Sequence, residues 1–533
     1  MHGMAPGALR HAATCLAVAL VFALCAPAAA RADEALLAGP DDPGVEEDLE
    51  QVGDPEDEGA APVGEEPRGS ELADVLDAYL AENAPATGVP GVAVAVVDPD
   101  GVRYQATLGD CPDAHETFLL GSLSKSVTAV AVMQLVEEGR IDLDTPVVNY
   151  VGTAADLPDA VTVRSLLNQT SGFGYYESLA DARVGESAGS FSYANANYDL
   201  LGRLVEAVSG QSLDSYLQES VFGPLGMADA SADLAATPTV PGYRSWFGVP
   251  VADGFRHEEG DDAWGGPASG YVSASLADME AYLRMYLNSG VVVGGAAADG
   301  GALADDGAPA DGRSAGVADS ITPTASVLSP DGVHQMVFSR VPDPAGDTWY
   351  GMGWTTYTWG DGELVMSHDG QVENYVARMC VIPGRNLGVV VLGDANDEFG
   401  GNEAFFSLAD DIVSIAVGAE PAGVDGAARL SEHVSYDVLY LVAVVACVVP
   451  LVRARRWHGR LIPAVILHVV APAWLLGVPM AATGMRWQDF ADFYPDQTLV
   501  LVVCCVLLVA SGAAKLLAWR RRSTATIAAS PAA

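Results

Sequence analysis

Lysine is almost missing from this chain. Of 533 residues only Lys125 and Lys515 are lysine, and every other long cationic side chain is arginine. Positive charge of any kind is scarce: 26 Lys and Arg stand against 70 Asp and Glu, a net charge of −44. That balance argues against nucleic acid or anionic lipid as a partner of the soluble part. It bears on solubility and setting, not on chemistry. Cysteine is sparse too. Of the seven, Cys15 and Cys25 lie in an apolar N-terminal run and Cys447, Cys504 and Cys505 in apolar C-terminal segments, which leaves Cys111 and Cys380 between them. In an oxidising compartment those two can pair, or they are two separate buried thiols; the sequence leaves both open. No C-x-x-C, no His/Cys spacing of a metal site and no H-E-x-x-H occurs, so neither a metal nor a cofactor is expected.

What is present is a hydrophobic content of 50 % beside that large negative charge, a combination that requires the two to occupy different regions. The N-terminus has Arg10, an apolar core from Cys15 to Cys25 and small residues up to Ala30-Arg31-Ala32, the layout of a secretory signal peptide over 1–32 cleaved near Asp33. The rival reading, a membrane anchor, needs a longer run, and bulky Leu24 before Cys25 argues against a lipoprotein site. Residues 33–66 hold 14 acidic side chains and no Lys, Arg or His. Such a segment repels itself and has little to bury, so 33–70 reads as a disordered linker. A second low-complexity tract, 294–320, reads as a flexible insertion. Its GRSAG at 312–316 matches the G-x-S-x-G nucleophile elbow formally but lacks the strand before and the helix after that an elbow needs.

Between these tracts strand and helix signals alternate. GVAVAVVDPDG (91–101) and VRYQATLGD (102–110) predict a β-hairpin turning at Asp98-Pro99-Asp100-Gly101. Helices are predicted over 124–138, 198–208 and 275–288, stopped by Gly139, Gly210 and Gly290. Strands follow at 362–370, 374–384 and 386–394, then an amphipathic helix near 404–417. A two-strand start, helices in the middle and a three-strand finish predict an α+β domain over 71–420, with one antiparallel sheet built from both ends.

Beyond residue 435 the chain changes character. Tyr436–Val452, Leu461–Ala482 and Thr498–Trp519 are each about a membrane thickness of mostly apolar residues. Buried core helices are the alternative, weakened by three such segments in a row outside the compact domain. The loop RARRWHGR (453–460) carries four arginines and the tail three more, whereas the loop between the second and third spans carries Asp489, Asp492 and Asp496 against Arg486 alone. The positive-inside bias puts 453–460 and the tail (520–533) in the cytoplasm. The domain before the spans is then extracytoplasmic, in a multi-pass protein of the cell membrane whose spans (436–519) contact lipid. Lys515, near a helix end, is expected to snorkel.

The chemistry starts at Lys125. Ser122 precedes it by three residues, so in a helix the two share a face, and at the first turn unpaired N–H groups favour negative charge on oxygen. A partly desolvated lysine can lose its proton and act as a base, which an arginine cannot. GSLSKSVTAVAVMQLVEEGRIDLDTPVVNYV (121–151) resembles the first motif region of the serine β-lactamase and penicillin-binding-protein superfamily, nearest to the branch of class C β-lactamases, D-Ala-D-Ala carboxypeptidases and related esterases. FSYANANYDLLGRLVEAVSG (191–210) resembles its Tyr-x-Asn motif, with Tyr193 and Asn195. SHDG (367–370) resembles its third, with His368 and Gly370, and LLNQTSGFG (166–174) a loop beside the active site. The likeness covers about 72–418 and implies a β-lactamase/transpeptidase-like fold with an inserted helical subdomain.

Carried over to this chain, the resemblance implies Ser122 as the nucleophile of an acyl-enzyme. Lys125 and Tyr193 would share general-base and general-acid duty, with nearby Lys⁺ favouring the phenolate. Asn195 would bond the substrate amide or the lysine, and the N–H groups of Ser122 and Gln371 would form an oxyanion hole. His368 would orient the proton network or a substrate carboxylate, with Gly370 and Asp369 lining the substrate position. Asp369 departs from the pattern, since relatives that bind a carboxylate often have a hydroxyl or glycine there. It repels carboxylates if it faces the cleft and changes nothing if it points to the opposite face. The implied activity is a serine hydrolase acting on an ester, amide, peptide or β-lactam, a small molecule or a cell-wall peptide. The alternative is a penicillin-binding sensor acylated once without turnover.

Overall fold

The computed structural model describes residues 66–67, 69–152, 157–292, 325–359, 362–459 and 461–528. The expected signal peptide, nearly all of the acidic stretch, the 294–320 tract with its GRSAG match and the end of the tail lie outside these residues. Helix α1 (Ser70–Thr87) leads into strands β1 (Gly91–Val97) and β2 (Val102–Gly109). Their turn is pinned by the Asp98 carboxylate, which accepts the N–H groups of Asp100 and Gly101 at 2.8 Å each. The central part carries α2 (Ser124–Glu137), α3 (Asn195–Ser209) and α4 (Leu276–Leu287). Ser275 and Asp278 close a capping box at the start of α4. Strands β3 (Val341–Pro342), β4 (Trp349–Tyr350), β5 (Thr355–Trp359), β6 (Glu363–Val372), β7 (Tyr375–Ile382) and β8 (Leu387–Gly393) follow, then α5 (Gly401–Ala416).

These strands form an eight-stranded antiparallel sheet in the order β2-β1-β8-β7-β6-β5-β4-β3. The chain's start is stitched to its end where Val92 pairs with Gly393 and Val97 with Gly388. The fold is the α+β, β-lactamase/transpeptidase-like arrangement that the resemblance implied. The finishing half holds three more strands than the sequence reading placed there, and α1 is a further addition. β1 and β8 are buried along their whole length because both faces are covered. Ala93, Ala95 and Val97 face the core shared with α2, α3 and α4, while Val92, Val94 and Val96 face α1 and α5. Helix α2 runs through the middle of the first core, so even its polar residues Ser124, Lys125, Ser126 and Thr128 are buried.

Cys111 and Cys380 belong to the two different cores, on opposite faces of the sheet, and both are free thiols. The pairing alternative is therefore set aside.

Among the described residues three helices are long and apolar enough to cross a membrane: α6 (Gly426–Val452), α7 (Leu461–Ala481) and, after the short α8 (Trp487–Phe493), the span Pro495–Arg522 of α9 (Pro495–Ala528), with mean hydropathies of 2.1, 2.2 and 2.5. Helix α6 begins ten residues before the apolar run, and that polar first part docks on the domain. His433 Nε2 meets Asp397 Oδ2 at 2.7 Å and Arg429 lies 3.8 Å from the same carboxylate. At the opposite end of the bundle Arg522 donates to the Trp457 carbonyl at 2.6 Å and bonds His458 at 2.9 Å. Lys515 does not snorkel. It is buried, with Nζ 2.7 Å from His468 Nε2, an approach that Gly512 permits because a Cβ there would fall 2.7 Å from that of His468.

Candidate active site

A short turn of 3₁₀ helix, Gly121–Leu123, feeds directly into α2, so Ser122 and Lys125 sit on successive turns of one rod. The turn lies against β6 at van der Waals range because two glycines meet there. Gly121 has φ +57°, and a Cβ on it would collide with Gln371 N and lie 2.6 Å from Gly370 C; a Cβ on Gly370 would collide with the Leu120 carbonyl. That close approach sets the main chain of Ser122 beside that of Gln371, the two segments from which the sequence reading drew an oxyanion hole.

Lys125 has no exposed surface. Its Nζ lies 2.9 Å from Ser122 Oγ, 2.7 Å from Asn195 Oδ1 and 2.7 Å from the Ser269 carbonyl oxygen. Of the two partners offered for Asn195, the lysine is the one its Oδ1 takes. Burial pulls the Lys125 pKa down to about 7, with the nearby Asp199 carboxylate pulling the other way. Asn195 Oδ1 and the Ser269 carbonyl can only accept, whereas the Ser122 hydroxyl can accept from an ammonium or donate to a neutral amine, so the three partners suit either protonation state.

Tyr193 precedes α3 by two residues. Its segment is clamped by the loop predicted to flank the site: Gln169 accepts the Ser192 N–H through its main chain at 2.8 Å and the Ala194 N–H through its side chain at 3.0 Å. Gln169 holds this place with φ 58°. The Tyr193 hydroxyl is buried without a hydrogen-bond partner among the described residues, and its ring passes 4.7 Å from Lys125 Nζ. Burial holds this phenol far above the ordinary tyrosine range and neighbouring Tyr350 adds to that, while the Ser122 hydroxyl beside it, outside strict hydrogen-bond geometry, pulls the other way. The phenolate form expected from the sequence is therefore disfavoured. Tyr193 sits in the cleft wall beside Ser122.

His368 is buried behind this pair. Its Nδ1 lies 2.7 Å from the Asp369 carbonyl oxygen and its Nε2 3.4 Å from the Tyr350 hydroxyl. Burial, with Lys125 nearby, lowers its pKa to about 4. A neutral imidazole offers no charge to a substrate carboxylate, which weighs for the orienting role. Asp369 borders the cleft, but its carboxylate is turned to the far face of the sheet, where Arg378 takes it. The substrate-contact expectation for its side chain gives way to the opposite-face alternative.

Several neighbours escaped the sequence reading. Asp199, one helical turn after Asn195, has a buried Oδ1 without a hydrogen bond among the described residues, and burial raises its pKa. Ser269 supplies the carbonyl under Lys125. The cleft above Ser122, Asn195 and Gln371 is walled by Tyr175, Tyr176 and Trp264 and, next to Trp264, by Met485, Phe493 and Tyr494 from the segment joining α7 and α9.

Comparison with known proteins agrees with this geometry. The family model described as Beta-lactamase matches residues 72–410. Penicillin-binding protein 4 of Amycolatopsis lactamdurans is 28 % identical over 348 residues, 57 % of this chain and 80 % of its own length. Protein flp of Staphylococcus aureus is 25 % identical over 310 residues, 52 % of this chain, and the match spans only about half (53 %) of that protein. Among solved structures, the octameric penicillin-binding protein homologue from Pyrococcus abyssi shares the fold at a TM-score of 0.50 and 22 % identity, covering 66 % of this chain and 79 % of its own. With the matched region taking in all three motifs, the chain belongs to the beta-lactamase family of serine hydrolases.

Proposed function

We propose that this protein is a membrane-anchored, extracytoplasmic serine hydrolase that turns over an ester, amide, peptide or β-lactam through an acyl-enzyme on Ser122. The observation that carries the reading is the fully buried Lys125 amine, 2.9 Å from Ser122 Oγ and held by Asn195 Oδ1 and the Ser269 carbonyl, two acceptors that can take the N–H bonds of a neutral amine and leave its lone pair for Ser122. Lys125 takes the serine proton as Oγ bonds to the substrate carbonyl carbon, and the resulting oxyanion is received by the N–H groups of Ser122 and Gln371. Collapse breaks the bond to the leaving oxygen or nitrogen, which takes a proton from Tyr193. Lys125 returns that proton to Tyr193 and is neutral again. Water then adds to the acyl carbon with Lys125 as base, and the carboxylic acid leaves as Ser122 regains its proton.

Two features support the extracytoplasmic side. The domain docks on the end of the helix bundle that holds Asp489, Asp492 and Asp496, while the arginines of 453–456 and 520–522 lie at the other end. The signal-peptide pattern at 1–32 points the same way. Kinship with a protein named for penicillin binding makes β-lactams and D-Ala-D-Ala peptides the first substrates to try. A fluorophosphonate should label the purified full-length protein, and Ser122→Ala should abolish both labelling and multiple turnover. Turnover persisting in that variant overturns the assignment.

A further inference from the structure

We propose that the segment joining α7 and α9 is a wall of the substrate site, and that the substrate is an amphiphile: an ester or amide bearing an apolar chain or ring. This deepens the hydrolase reading and rests on it. In a domain merely tethered to a membrane, the anchor would contribute nothing to the cleft. Here it contributes half of one side. The Phe493 ring meets Trp264 edge to face at 5.5 Å, and Trp264 in turn packs on Tyr176 at 5.1 Å and Tyr175 at 5.6 Å. The Trp264 indole is fixed by its N–H donating to the Tyr175 carbonyl at 2.8 Å.

The joining segment is held in that position by polar contacts to the domain. Arg486 pairs with Asp489 at 2.6 Å and reaches Glu258 at 3.4 Å and the Asp262 carbonyl. Arg244 donates to the Asp492 carbonyl at 3.1 Å, and the Phe247 N–H to Asp496 Oδ2 at 3.4 Å. From its other side the segment packs on the spans through Phe490, Tyr494 and Leu501. Ser122, Asn195 and Gln371 bring polar groups to the reactive end of the cleft and Glu398 adds a carboxylate to its lining, whereas the wall of Trp264, Met485 and Phe493 with its tyrosine rings offers a substrate mainly apolar surface. A ligand that fills this space has a reactive carbonyl at one end and an apolar body at the other. The wall stands where three membrane-crossing helices emerge, the level at which aromatic side chains meet lipid head groups, so an amphiphile held in the bilayer surface arrives beside it.

The test uses the full-length protein in nanodiscs with two homologous series, p-nitrophenyl esters from acetate to octanoate and alkyl acetates from methyl to octyl. The expected result is a rise in kcat/KM of about threefold per methylene over the first few carbons of at least one series. Phe493→Ala should lower the octyl-to-methyl or octanoate-to-acetate ratio at least fivefold, and Phe493→Leu, which keeps apolar bulk, by less. Where Phe493→Ala does not fold, the Leu variant is compared with Phe493→Ser by the same ratio. Flat profiles in both series, or ratios unchanged by substitution at 493, overturn the proposal while fluorophosphonate labelling of Ser122 leaves the hydrolase reading standing. Absence of labelling in the unsubstituted protein removes both.

Discussion

Arg378 stands directly across from Asp369 in the β6–β7 register and grips its carboxylate through Nε at 2.5 Å and Nη2 at 2.8 Å. The pair lies on the helix-covered face, where Arg378 also reaches Asp410 on α5. An acid in the third motif is therefore a structural strut, not a filter on substrate charge. Asp369→Asn should lower stability by about 1–3 kcal/mol, because a buried guanidinium loses one of its two anions. It should leave kcat/KM within about twofold. Thermal unfolding and steady-state kinetics on the same preparation check both halves.

The lowered pKa of Lys125 fixes a direction for pH dependence. The active form is the neutral amine, so kcat/KM should rise with pH through about 7 and level off above it. No alkaline decline from Tyr193 is expected in the accessible range, since its phenol titrates far above 10. Lys125→Arg keeps a cation in place but removes the base, and activity should fall by roughly 10²–10⁴-fold.

Asn195→Asp tests the same electrostatics from the other side. A carboxylate 2.7 Å from Nζ would favour the ammonium form. The rising limb of the profile should move by about one pH unit or more to the alkaline side, while activity at high pH is largely recovered. A limb that stays put would show that Lys125 is not the titrating group.

Gly370→Ala addresses the contact between the serine turn and the sheet. The new methyl would strike the Leu120 carbonyl, so the turn must back away from β6. Labelling of Ser122 by a fluorophosphonate should slow by about 10²-fold or more, the scale of losing an oxyanion donor. Circular dichroism is expected to report an otherwise folded domain.

The two thiols give a separate check. Cys111 and Cys380 should both be alkylated when the protein is unfolded without reductant, and Cys380→Ala should cost far less than the 2–5 kcal/mol of a lost disulfide.

The legible part of this molecule was the local part. Ser122 and Lys125 are one helical turn apart, and the residues that keep them close are adjacent in the chain. The hairpin, the three long strands and the spans were legible because each repeats its pattern for many residues. β3 and β4 have two residues each, too few to show alternation. Helix α1 carries a signal, Leu72, Leu76, Tyr79 and Leu80 at helical spacing, but it abuts the acidic stretch, whose charge masks where order begins. Ser269 reaches Lys125 across 144 positions and Phe493 reaches Trp264 across more than two hundred. Contacts of that kind depend on how finished elements stack, and no window of sequence contains them. How strongly burial opposes the expected Tyr193 phenolate was hidden for a related reason: the depth of burial is a property of the assembled core.

The salt bridges and hydrogen bonds between the domain and the ends of α6, α8 and α9 would also govern how the proposed membrane-anchored hydrolase searches. A catalyst on a slack stalk sweeps a volume and meets dissolved molecules from every direction. One bolted down at several points, with its mouth at a fixed height, explores a sheet. For the bilayer-held amphiphile proposed above, encounters would then scale with the number of target molecules per unit area and with their sideways diffusion, so diluting the surrounding solution would leave the rate unchanged while diluting the bilayer would not.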